Sequence, residues 1–148
     1  MKIVQTNNSN EDFIKLASQL DEELNKRYGS QQSKYDKHNK IDPIETAIIG
    51  YLNDKAIACG CFKQIDAKTV EIKRMFVDPH HRRNGFSIKV LNTLEKWASK
   101  LGYSKTLLET GKGQPEAIAL YKKCGYQQIE NYGPYIGFEN SICMEKSI

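Results

Sequence analysis

The apolar positions of this chain fall into short strand-like blocks separated by stretches of helical spacing. Lys2 to Thr6 reads as a first short strand. Ser9-Asn10-Glu11-Asp12 then joins capping residue types to acids, a helix-start signal. Phe13, Leu16, Ala17, Leu20 and Leu24 follow at steps of three or four, and Gly29 predicts an end near Tyr28. The polar run from Ser30 to Asp42 reads as a loop or a poorly ordered segment. Three strands are predicted next, Ala47 to Leu52, Ala56 to Gln64 and Thr69 to Val77. Asn53-Asp54 and Asp66-Ala67-Lys68 are tight-turn signals, so short connections make this meander antiparallel.

Asp78-Pro79 ends the third of these strands, and a loop from His80 to Asn84 leads into a long helix. Its apolar set is Ile88, Leu91, Leu94, Ala98 and Leu101, with Trp97 beside this face and Gly102 as its stop. Thr106 to Thr110 is a strand. Pro115 suits the first turn of a helix that Gly125 closes, and a last pair of strands is expected around Tyr126–Glu130 and Ile142–Lys146. The sum is a mixed sheet flanked by helices, in the α/β or α+β class. No repeat, low-complexity tract or linker interrupts it, so one domain over residues 1–148 is expected.

Composition narrows the function classes. With 39% hydrophobic and 27% charged residues in 148, the chain reads as globular. No run approaches the ~20 apolar residues a membrane span needs. The N-terminus lacks the apolar core of a signal peptide, so no membrane association and a cytoplasmic location are expected. The net charge of +4 is mild and the basic residues are dispersed, which argues against nucleic acid. Cys59, Cys61, Cys124 and Cys143 lack ligand-like spacing, and His80-His81 are adjacent; no metal is expected.

The segment from Val70 to Ser87 carries the strongest chemical signal. A strand feeds a turn, and the turn feeds a helix N-terminus whose unpaired N–H groups favour an anion. Gly85 and Ser87 allow a close approach to the backbone, and Arg82 and Arg83 add charge. The usual nucleotide loops do not fit. There is no G-x-x-x-x-G-K-[ST], and Glu116 stands where a dinucleotide loop beginning at Gly111 would need its third glycine.

Arg82-Arg83-Asn84-Gly85-Phe86-Ser87 resembles the acetyl-CoA signature of the GNAT superfamily of N-acetyltransferases, with Ser87 in place of the usual glycine or alanine and Asn84 where glycine is frequent. Leu108 to Tyr126, including Leu120-Tyr121-Lys122-Lys123-Cys124-Gly125-Tyr126, resembles the later strand–loop–helix motif of the same superfamily. Tyr132 to Lys146 and the helix ending at Gly29 resemble a subset of small bacterial members. The resemblance thus spans nearly the whole chain.

It implies a mainly antiparallel mixed sheet of about six to seven strands, acetyl-CoA as co-substrate and an amine as acceptor. It places the cofactor against Met75, Phe76 and Val77 through main chain, against Arg82, Arg83, Asn84, Gly85, Phe86 and Ser87, and against Gln114, which stands where an asparagine is frequent. The oxyanion donor would be a backbone N–H near Met75 to Val77. Glu71, eleven residues before Arg82, matches the catalytic glutamate; the same residue also reads as a strand glutamate ion-paired with Lys73. Tyr121 matches the proton donor near the CoA sulfur and also reads as a core aromatic. Glu109 is a second carboxylate for the base role or the acceptor site. The acceptor is placed by family position against Glu22, Tyr28, Cys59, Cys61, Tyr132 and Tyr135. A small-molecule amine or amino acid is expected as acceptor. A protein N-terminus or lysine, or a non-catalytic acyl-CoA-binding module, are the alternatives. Small members often pair, so a homodimer is expected.

Overall fold

The computed structural model describes residues 1–29 and 42–148; the run expected to be a loop, residues 30–41, lies outside the described residues. Seven strands form one sheet: β1 (Lys2–Thr6), β2 (Ala47–Leu52), β3 (Lys55–Asp66), β4 (Thr69–Val77), β5 (Lys105–Gly111), β6 (Gln127–Ile129) and β7 (Ser141–Ser147). Their spatial order is β1-β2-β3-β4-β5-β7-β6. All neighbours are antiparallel except β4 and β5, which the crossover helix α2 (Phe86–Lys100) makes parallel. Helix α1 (Glu11–Tyr28) and helix α3 (Pro115–Lys123) complete the fold.

Local chemistry accounts for the boundaries. Asn10 caps α1 by accepting from the Asp12 and Phe13 amides at 2.8 and 3.3 Å. Asn53 and Asp54 both take positive φ, the geometry of a two-residue hairpin whose twist matches its strands. The strands run one or two residues past several predicted ends, because ladder pairing continues into polar residues such as Lys55 and Ser147.

Alternation divides the core between the two faces. Ile48, Val70, Ile72 and Leu108 pack with Val90, Leu91 and Leu94 of α2 on one face, and Tyr121 of α3 joins them. Ala47, Ile49, Cys59, Cys61 and Phe76 pack under Phe13 and Leu16 of α1 on the other. Trp97 meets Phe62 edge-on at 5.7 Å and packs at the rim of the first cluster, as its spacing predicts.

The strand β4 is irregular where it matters. Cys59 pairs with Phe76 and Cys61 with Lys73, so β4 holds one residue more than β3 across this interval. Arg74 absorbs the extra length at φ 58°. The extra residue reverses the alternation: Val70 and Ile72 face α2, and beyond the bulge it is Val77 that does so. Glu71 and Lys73 precede the bulge and, alternating with Val70 and Ile72, face α1.

Candidate active site

The site forms where the two parallel strands part. Register between β4 and β5 runs from Thr69/Lys105 to Glu71/Leu107 and stops there. Beyond it the arms diverge, and the gap is a cleft of about 130 Å³. Glu71, Lys73 and Met75 line one arm, Glu109 and Thr110 the other, and Gln114 and Tyr121 of α3 close one end. Leu20 and Leu24 of α1 and Tyr135 cover it.

Ionisable groups crowd this cleft. The Glu71 side chain is 4% exposed, an environment that demands partners for a carboxylate. Tyr132 donates its hydroxyl to Glu71 Oε2 at 2.5 Å, and Lys73 Nζ and Lys63 Nζ lie 3.6 and 3.9 Å from Oε1. Lys73 is also buried, with Nζ 3.5 Å from the Tyr135 hydroxyl. Burial pulls the Lys73 ammonium below its usual range, and Glu71 opposes that shift. Glu109 accepts from Ser141 Oγ at 2.8 Å. Burial raises the Glu109 carboxyl from 4.5 to about 7, against the opposing pull of the Ser141 bond and Lys73. Burial pushes the phenol of Tyr121 up, and nearby Cys124 and Glu109 push the same way, so it stays protonated at neutral pH.

A second cavity, of about 290 Å³, continues along β4 past the cleft. Val77, Arg82, Gly85, Ser87, Leu120 and Lys123 are among its lining. Gly85 caps α2 with φ 77°, a left-handed conformation in which a side chain is strained, and no side-chain hydrogen bond caps the helix there. The first amides of α2 are thus left to an anion. Arg82 holds this rim. Its Nε donates to Val77 O at 2.8 Å, and its Nη1 and Nη2 meet both oxygens of Glu23 at 3.2 and 2.6 Å. Of the five N–H donors of a guanidinium, these bonds engage three. Arg83 and Asn84 are exposed beside it, and Asn84 Nδ2 donates to His81 O at 3.2 Å.

The helix α1 spans both arms. Asp21 pairs with Arg74 at 2.5 Å, Glu23 holds Arg82, and Arg27 reaches Glu116 at 2.5 Å and Gly113 O at 2.9 Å. Tyr28 packs so closely over Gly111 and Gly113 that a methyl group on either would run into its ring or hydroxyl. Burial raises its phenol, with Gln114 and Gly113 beside it opposing the shift.

The cleft therefore brings together Glu71, Glu109, Tyr121, Tyr135, Met75 and Gln114, with Tyr132 behind Glu71. It does not bring in every residue the sequence suggested. Glu22 is exposed on α1 and, among the described residues, is not in the lining. Cys59 and Cys61 are fully buried beneath α1, and burial pushes both thiols up, Cys61 to about 12. Phe76 packs in that same core, with Arg82 5.5 Å from its ring centre. Lys63 and Ser141 were not singled out from the sequence, and Lys73 was read only as an ion-pair partner of Glu71, which it is at 3.6 Å. A signal for Lys73 was present: two residues beyond Glu71 it shares that strand face, as a charge within an otherwise apolar run.

Comparison with known proteins agrees with this architecture. A sequence profile of the acetyltransferase (GNAT) family matches residues 12–126. An IAA acetyltransferase of Azospirillum brasilense is 30% identical over 137 residues, which is 91% of this chain and 90% of that protein. A Klebsiella pneumoniae protein described as an acyl-CoA N-acyltransferase superposes with a TM-score of 0.83 at 29% identity, covering 99% of this chain and 96% of the other. The PaiA N-acetyltransferase of Thermoplasma acidophilum, solved in complex with coenzyme A, shares the fold at a TM-score of 0.73 and 18% identity, over 99% of this chain and 98% of its own. With a parted β4–β5 pair, an arginine-flanked helix N-terminus and a profile match over most of its length, the chain belongs to the GNAT family of acetyltransferases.

Proposed function

We propose that this chain transfers the acetyl group of acetyl-CoA directly to the primary amine of a small molecule or amino acid. The observation that carries the reading is the succession of two cavities along β4: one at the N-terminus of α2 lined by Val77 and Arg82, and a cleft walled by Glu71, Glu109 and Tyr121. The small volume of the cleft and its cover of α1 and Tyr135 favour a small acceptor over a protein chain. Such a reaction belongs in the cytoplasm.

The residues present fit acetyl-CoA as a substrate. The first amides of α2, with Arg82, Arg83 and Lys123 at the rim, would hold a pyrophosphate, and the unpaired edge of β4 from Met75 to Val77 would hold the pantetheine arm through main chain. Acetyl-CoA supplies an activated acetyl group, whose C–S bond breaks as the amine's N–C bond forms. Glu71 takes the proton the amine must lose, directly or through water. Backbone N–H near Met75 steadies the carbonyl oxygen as it gains charge. Tyr121 donates its proton to the departing sulfur and recovers one from solvent. The net change is an ammonium and a thioester going to an amide, a thiol and one proton. Glu109 is a second reading for the base: a carboxyl near pH 7 in the cleft wall suits general-base work at neutral pH.

The test is calorimetric titration with acetyl-CoA and CoA, followed by thiol-release assays on an amine panel. Micromolar binding that falls at least about tenfold in the Arg82→Ala/Arg83→Ala protein is expected, from loss of charge-assisted contacts. Absence of binding at millimolar ligand would overturn the reading.

A further inference from the structure

We propose that Glu23 of α1 is a positioning residue for the acetyl donor: it holds the Arg82 guanidinium in the orientation that meets the pyrophosphate of acetyl-CoA. The inference rests on the acetyl-transfer reading and adds a residue to its donor site. It starts from the directions in which Arg82 is held. Its Nε donates to Val77 O at 2.8 Å, and Nη1 and Nη2 donate to the two oxygens of Glu23 at 3.2 and 2.6 Å. The guanidinium also lies 5.5 Å from the centre of the Phe76 ring. A strand end, a helix and an aromatic face thus fix its plane. Arg82 lines the cavity at the start of α2, so a plane fixed there is fixed towards the ligand. Among the described residues these bonds engage three of its five N–H donors. The other two, one each on Nη1 and Nη2, are those a phosphate oxygen would take.

Helix α1 places Glu23 for this task. Leu20 and Leu24 of the helix line the cleft, while Glu23, between them in sequence, pairs with Arg82 at the neighbouring cavity. Arg27, one turn on, lies 3.7 Å from Glu23 Oε1 and holds Glu116 at 2.5 Å. The series Arg82, Glu23, Arg27 and Glu116 therefore joins the start of α2 to the start of α3 by way of α1. A carboxylate beside a phosphate site would by itself repel the ligand. Two features make orientation the larger effect. Glu23 shares its charge between two guanidinium groups and its side chain is 27% exposed, so solvent and salt screen the repulsion that is left. Arginine has much rotamer freedom, and a side chain already ordered loses less of it on binding. Without Glu23, only the Val77 bond and the Phe76 ring would restrain the guanidinium.

The experiment is calorimetric titration of acetyl-CoA into the whole wild-type chain, Glu23→Gln, Arg82→Ala and the double variant, all at one ionic strength. Glu23→Gln removes the charge and keeps the shape. Dominant repulsion would make that variant bind acetyl-CoA more tightly, whereas positioning makes it bind about fivefold more weakly. In the Arg82→Ala background the same substitution should change affinity by less than about twofold, because no guanidinium is left to orient. A general disturbance of α1 would instead weaken both backgrounds alike. Glu23→Asp keeps the charge and shortens the reach; it should also weaken binding, and it decides the matter if the glutamine variant does not fold. Unchanged or tighter binding in Glu23→Gln, an equal loss in both backgrounds, or an Arg82→Ala protein that binds like the wild type would overturn the inference and leave acetyl transfer standing. A wild-type chain that does not bind acetyl-CoA would overturn both.

Discussion

Replacing Glu109 with glutamine tests the electrostatics of the cleft without reference to any ligand. The native state holds the Glu109 carboxyl at about 7, against 4.5 when unperturbed. Folding therefore favours the neutral form. Below about pH 4.5 both states are protonated and nothing is lost. As pH rises towards 7 the unfolded chain ionises and the native one does not, so stability falls. Above that value both are ionised and the loss is complete. At ~1.36 kcal/mol per pH unit, the full penalty is roughly 3 kcal/mol. Glu109→Gln keeps the shape and an acceptor for Ser141 Oγ, and it removes the charge. Its stability relative to wild type should rise by roughly 2–3 kcal/mol between pH 5 and pH 8.5. Urea unfolding at a series of pH values measures this through the midpoint at constant slope. A difference that does not change with pH, or a variant less stable than wild type at pH 8.5, would refute the reasoning. It would mean that Glu109 is solvated or firmly paired with Lys73.

The other predictions concern the chemistry and the core. Glu71→Gln should lower kcat by ~10²-fold or more at neutral pH and leave acetyl-CoA affinity near normal, in line with loss of a general base; full activity would transfer the role to Glu109. Tyr121→Phe should lower kcat with little effect on KM, and thiol release should then recover least at high pH if the phenol is the donor. Outside the cleft, Glu95 is buried and accepts from Lys146 Nζ at 2.9 Å and from the Tyr126 hydroxyl at 2.8 Å. Glu95→Ala leaves a half-buried ammonium without that partner and should cost about 3 kcal/mol, seen as a lower urea midpoint with acetyl-CoA affinity retained.

Local signals made most of the elements legible. The cap at Asn10, the turn at Asn53-Asp54 and the stop after Tyr28 depend on residues within a few positions of one another, and each took the expected form. The proposed phosphate cradle is legible for the same reason. Strand end, arginines, Gly85 and helix start are contiguous, so chain order alone brings them together. The parallel β4–β5 pair also follows from order, because a helix of fifteen residues separates the strands.

The cleft is different, because its members meet through pairing between distant strands. Tyr132 reaches Glu71 across 61 positions, and Ser141 reaches Glu109 across 32. No periodicity encodes either contact. The bulge at Arg74 is equally non-local: an arginine adopts a left-handed conformation only because β3 holds both flanks in register. That one residue decides which face Met75 to Val77 present. Cys59 and Cys61, which family position set at the acceptor, share the α1 face of β3 and lie in the core beneath that helix. The order of residues by itself determined the elements, their sequence and the arginine-flanked turn into α2, since those need only neighbours. Tertiary structure alone decided where β4 and β5 part and which buried charges share the gap, since those depend on pairing and desolvation that exist only once the sheet has closed.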